Sequence, residues 1–146
     1  MQLADGFEEI EALTVVDILR RDNIITETVS ITKDRQVVGA HMIPVIADKV
    51  ISEIKLSEAA LLVLPGGMPG TLNLKDCKPL MDMVKEFNAT NRRLAAICAA
   101  PTVFGELGIL EGKKAVCYPG MEGQLKGATV LKDEVVTDGN IKIRPK

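Results

Sequence analysis

Histidine occurs once in the 146 residues, at position 41, and cysteine three times. There is no CxxC pair and no HExxH helix, and one histidine leaves a zinc site short of its usual nitrogen ligands, so no metal is expected. The odd number and scatter of Cys77, Cys98 and Cys117 argue against a disulfide framework and fit a reducing compartment. Charge of one sign is also lacking. Lys and Arg number 18 against 20 Asp and Glu, a net charge of -2 with no basic stripe, so nucleic acid is not an expected partner. Apolar runs such as Ala59 to Leu64 are far shorter than the ~20 residues a bilayer-spanning helix needs. The first residues carry neither the charged nor the apolar region of a signal peptide. A cytoplasmic protein with no membrane partner is therefore expected. Internal repeats and low-complexity linkers are absent too, and one domain over residues 1–146, 47% apolar and 26% charged, is long enough to bury a sizeable core.

What the chain does have is Arg93-Leu94-Ala95-Ala96-Ile97-Cys98-Ala99-Ala100-Pro101, an apolar strand that runs into a cysteine and then into a proline-started helix. A side chain at such a turn is pushed out of the sheet edge, and the free N–H groups of the following helix point at its sulfur. The partial positive charge there favours a thiolate. Cys98 is thus expected to ionise below the free value of about 8.5 and to be nucleophilic near neutral pH. The alternative is a space-filling thiol, since unpaired cysteine is among the most buried residue types.

Strand-like and helix-like segments alternate, the pattern of a mostly parallel sheet with helices on both faces, so the class is α/β. After a stub from Met1 to Ala4, helical spacing from Phe7 to Arg21 puts Ile10, Leu13 and Val16 inward and Glu8, Glu9 and Arg20 outward. Alternation from Ile25 to Ile31 predicts a strand. Lys33-Asp34-Arg35 turns it into a small β-excursion that starts at Gln36 to Val38 and ends near Ala47. Ala60 to Leu64 reads as a strand buried on both faces, stopped by Pro65-Gly66-Gly67-Met68-Pro69-Gly70. A helix over Leu80 to Phe87, a strand over Leu94 to Ile97, a helix over Thr102 to Leu107 and a strand over Lys114 to Cys117 follow. A hairpin around Asp138-Gly139-Asn140 closes the series. In open α/β sheets ligands bind outside the carboxyl ends of the strands, where the loops at Asp5, Pro65, Cys98 and Tyr118 would converge.

Four strings in this order, Ala4-Asp5-Gly6-Phe7-Glu8-Glu9-Ile10-Glu11, Leu64-Pro65-Gly66-Gly67, Ala96-Ile97-Cys98-Ala99-Ala100-Pro101-Thr102 and Val136-Thr137-Asp138-Gly139-Asn140, resemble the ThiJ/PfpI family. The likeness is on the side of its parkinsonism-associated protein deglycases, within the class I glutamine amidotransferase-like superfamily. It covers nearly the whole chain and implies a flavodoxin-like, doubly wound fold. It also implies that Glu11 is the carboxylate set against the Cys98 thiol. A carboxyl group there would keep its proton, donate it to sulfur and lower the thiol's pKa while its own rises. Gly66 and Gly67 match oxyanion donors whose N–H groups face the sulfur, with Ala99 as the third donor. Glu8 and Glu9 have no part in this and complement the helix dipole.

The chain also departs from that family. Many relatives carry a histidine before the proline where this sequence has Tyr118-Pro119, so a Cys-His-acid triad is not available there and amidase or protease chemistry loses ground. Tyr118 and Cys117 are accessory candidates, and burial at a strand end is the competing account of Cys117. His41 lies in the β-excursion, with nothing to bring it to Cys98. Both ends look short against the family: either part of the central sheet and a covering helix are missing, leaving apolar surface for a partner, or the remainder lies outside these residues. The resemblance implies a cofactor-independent glyoxalase or deglycase acting on small reactive aldehydes or glycated thiols and amines, and a homodimer. A cysteine-oxidation sensor or stress chaperone and a non-catalytic scaffold are the alternatives.

Overall fold

A computed structural model describes residues 1–146. Three short parallel strands, β1 (Gln2–Leu3), β2 (Val29–Ser30) and β5 (Lys49–Val50), form one sheet with β2 in the middle. A second sheet has the order β10 (Val136–Asp138), β11 (Ile141–Arg144), β7 (Arg93–Ile97), β6 (Leu61–Leu64). Its strands are parallel except β10, which turns back on β11 as the expected hairpin. β1 lies beside β6, so the two sheets follow one another in space. The β-excursion is the antiparallel pair β3 (Gln36–Val38) and β4 (Pro44–Ile46).

The expected alternation of layers is present. In β6, Leu62 and Leu64 enter a core of 21 buried residues while Val63 packs on a separate cluster of 7 on the other side of the sheet. The larger core is closed by α2 (Gly70–Asp76), α3 (Lys78–Ala89) and α4 (Pro101–Glu106). α3 carries Leu80, Met81, Val84 and Phe87 on its buried stripe, each worth about 1.5–3 kcal/mol when fully buried. The smaller cluster joins Leu3 and Phe7 to Ala12 and Val16 of α1 (Glu9–Arg21). Helices thus cover both faces, three on one side and α1 on the other.

Several expectations need correction. α1 is rotated from the stripe that hydropathy gives: Ile10 is 71% exposed and Glu9 only 4%. Glu9 fills a slot against Gly39, where any Cβ would overlap its carboxylate, and His41 supplies its hydrogen bonds. A specific polar site has overridden the apolar pattern. The strand over Ile25 to Ile31 shrinks to Val29–Ser30, because pairing starts opposite Gln2, and Thr26 is held instead through its carbonyl by the Arg20 guanidinium. The strand over Lys114 to Cys117 is reduced to β8 (Lys114–Ala115), which pairs in parallel with an unexpected β9 (Thr129–Val130). No helix is long and apolar enough to cross a membrane.

Candidate active site

Cys98 sits at the turn from β7 into α4 with φ 62°, in the left-handed region that costs a side-chain-bearing residue strain. Two hydrogen bonds hold it there. Its N–H donates to the Arg144 carbonyl at 3.0 Å, and its carbonyl accepts from the Tyr118 N–H at 2.7 Å. The end of β11 and the segment after residue 117 are therefore both used to present one sulfur.

Glu11 reaches the same place from α1. The loop after β6 is tied to the start of that helix, the Glu8 N–H donating to Gly66 O at 2.9 Å and the Gly70 N–H to Gly6 O at 3.1 Å. The Gly66 N–H donates to Glu11 Oε2 at 2.9 Å. This corrects the expected role of Gly66: its donor orients the acid instead of facing the sulfur. Its missing side chain matters as well, since a Cβ there would lie 2.6 Å from both Cys98 Cβ and Glu11 Oε2. The N–H groups of Ala99 and Gly67 are the ones close enough to pull the Cys98 thiol down.

Burial raises the Glu11 carboxyl above its ordinary value, outweighing the hydrogen bonds from Gly66 and Cys98 that favour the anion. The thiol does not follow the expected downward direction. Burial first, then the charge and hydrogen bond of ionised Glu11, push Cys98 up to about 11 against the pull of the Ala99 and Gly67 N–H groups. Removing the thiol proton beside a carboxylate puts two negative charges together. Below that step the two groups hold one proton between them.

A cavity of about 420 Å³ opens over the sulfur, bounded by Glu8, Gly67, Met68, Tyr118 and Met121. Cys98, Gly67, Ala99 and Tyr118 thus share one pocket. Cys117 does not. It is buried, its Sγ lies 3.4 Å from the Tyr118 carbonyl, and it faces a different cavity of about 320 Å³ with Glu122 and Lys132. Burial and then the Glu122 charge push its thiol to about 11. Cys77, at the α2–α3 junction, is 3.9 Å from Ile31 O. Sequence reasoning missed Glu8 as a pocket wall and the placement of His41, whose Nδ1 lies 2.8 Å from Glu9 Oε2 and 3.7 Å from Glu8 Oε1. The tightly turning Gly39-Ala40-His41 was the available signal.

The sequence pattern of the DJ-1/PfpI family matches residues 1–142. The chain belongs to that family. It is similar to protein DJ-1 homolog B of Arabidopsis thaliana, 43% identical over 141 residues that cover 95% of this chain and 32% of that protein. It thus spans about a third of the length of that relative. A deglycase of Pyrococcus abyssi is 29% identical over 140 residues, covering 94% of this chain and 82% of its own length. Among solved structures, oxidised Toxoplasma gondii DJ-1 superposes with a TM-score of 0.93 at 33% identity, over 99% of this chain and 79% of that one. The flavodoxin-like fold expected from the sequence is the fold of these relatives.

Proposed function

We propose that this DJ-1/PfpI chain converts small reactive 2-oxoaldehydes such as methylglyoxal to hydroxy acids, with Cys98 as nucleophile and Glu11 as proton carrier. The observation that carries the reading is a strained, pocket-facing thiol paired with a carboxyl group that a backbone donor holds in place. The name of the Pyrococcus abyssi relative, a deglycase, supports the same class of substrate.

The bond changes need only water. Sγ bonds to the aldehyde carbon, the carbonyl π pair moves onto oxygen, and the thiol proton reaches that oxygen through Glu11, giving a hemithioacetal. The Ala99 and Gly67 N–H groups, which already favour negative charge on the sulfur, are the donors available to the charge that develops. Glu11 next takes the proton from the former aldehyde carbon and returns one to the neighbouring carbon, and the hydroxyl proton passes from the first oxygen to the second, leaving a thioester of a 2-hydroxy acid. Water then cleaves the C–S bond, the hydroxy acid departs, and sulfur regains its proton. Glycated thiols and amines of the same aldehydes are the wider substrate class in this reading.

Lactate formation from methylglyoxal tests it. Cys98→Ser should lose at least about 100-fold in kcat/KM, the range expected when a covalent route is removed. Equal rates in wild type and variant would overturn the enzyme reading and leave oxidation sensing by the same thiol as the one to pursue.

Two copies pair, in this reading, through the outer face of α1 and the tip of the β3–β4 hairpin. Ile10, Ile18 and Met42 are 71%, 59% and 79% exposed there, and the His41–Glu9 contact joins the two elements.

A further inference from the structure

The wall of the Cys98 pocket contains one carboxylate, Glu8, and no lysine, arginine or histidine. Its side chain is only 24% exposed and faces a histidine that is itself locked in place. The His41 N–H donates to Glu9 Oε1 at 2.8 Å, the ring Nδ1 lies 2.8 Å from Glu9 Oε2, and the Ala40 N–H donates to Phe7 O at 2.8 Å. With Glu9 sealed against Gly39, the hairpin tip, His41 and Glu8 form one fixed arrangement at the pocket rim.

We propose that Glu8, steadied by the Glu9–His41 clamp, is the charge selector of the Cys98 pocket, admitting uncharged small carbonyl compounds and turning away those that bear a carboxylate or phosphate. This rests on Cys98 being the reacting group and names the substrate class more narrowly. An anionic substrate entering the pocket meets Glu8 in a partly desolvated wall with no cation beside the sulfur, where like charges repel more strongly than in bulk water. His41 sets how strong the rejection is. Protonated, the imidazolium offsets Glu8 and Glu9; neutral, it leaves both carboxylates uncompensated. The other titratable groups facing this cluster are Glu11 on α1, which feels the Glu8 charge, and the Cys98 thiol.

Alkylation of Cys98 in the full chain by iodoacetamide and by iodoacetate, followed by peptide mass, tests the selector without calling on turnover. The two reagents are nearly isosteric and need the same ionised sulfur, so their rate ratio cancels any change in the thiol itself. Wild type should favour iodoacetamide by about fivefold or more over the ratio of a free cysteine peptide, the preference should collapse in Glu8→Gln, and Glu8→Lys should invert it. Raising salt to about 1 M, where the screening length is about 3 Å, should shrink the wild-type preference with no substitution at all. A ratio unchanged in Glu8→Gln or insensitive to salt would overturn the proposal. Between pH 8 and pH 6 the wild-type preference should fall, and His41→Gln should abolish most of that fall; an equal fall in both would assign it to Glu11 and remove His41 from the device. Loss of lactate formation with the ratio behaving as stated would sink the aldehyde reaction and leave the selector standing.

Discussion

Cys98 and Glu11 act on one another before either meets a substrate. Burial and the Glu11 charge keep the shared proton on sulfur at neutral pH, so in the proposed reaction it must pass to Glu11 to leave the sulfur anionic. In Glu11→Gln no group can take that proton. Alkylation of Cys98 at pH 7 should slow at least about tenfold, and its pH profile should become a single step, still above an ordinary thiol because burial remains. Faster alkylation of the variant at pH 7 would show that Glu11 only repels the thiolate. The cysteine itself was legible in the sequence, since an apolar strand, a cysteine and a helix-starting proline leave few other geometries. The partner of the Gly66 N–H was not, because the direction of a backbone donor depends on how the loop meets α1.

At the scale of elements, α1 shows how a polar slot outranks hydropathy. Spacing alone places Ile10 inside and Glu9 outside, and the reverse is found because Glu9 has two donors from His41 and a recess against Gly39. Burial, the largest influence on Glu9, raises its pKa, but hydrogen bonds from the His41 ring and from the Glu9 and His41 N–H groups more than offset it and hold the carboxyl below 4.5. The ionised form therefore stabilises the fold in full above about pH 4.5, and that contribution is lost as pH falls through the lower folded value. Glu9→Ala should cost about 1–3 kcal/mol at pH 7, read from urea midpoints, and its gap from wild type should narrow below pH 4.5. A constant gap across that range would place the effect in packing. For His41 the sign is opposite. Its pKa is raised, by the Glu9 hydrogen bond first and then the Glu8 charge, so its contribution is full below about 6.5 and fades as pH rises through the folded value. The long strand expected over Ile25 to Ile31 failed for a related reason: alternation marks a willingness to pair, and only Val29 and Ser30 have strands on both sides.

For the whole molecule, the alternation of strands and helices and the two-sided cover follow from the sequence, whereas the proposed pairing of copies depends on surface that no periodicity reveals. Sedimentation velocity at micromolar concentration should give twice the chain mass for wild type and the monomer for Ile18→Glu, which puts a charge on the outer face of α1 without touching its buried side. A wild-type monomer would remove the assembly from the reading. The sheet itself carries a last consequence. The sulfur is mounted on the thick side, where 21 side chains interlock, while its acid hangs from the thin side, which has 7. Gentle stress that frees the thin side alone would strand the thiol, intact and still seated, without its acid, so the proposed chemistry would cease in a chain that by most spectroscopic measures had not yet begun to unfold.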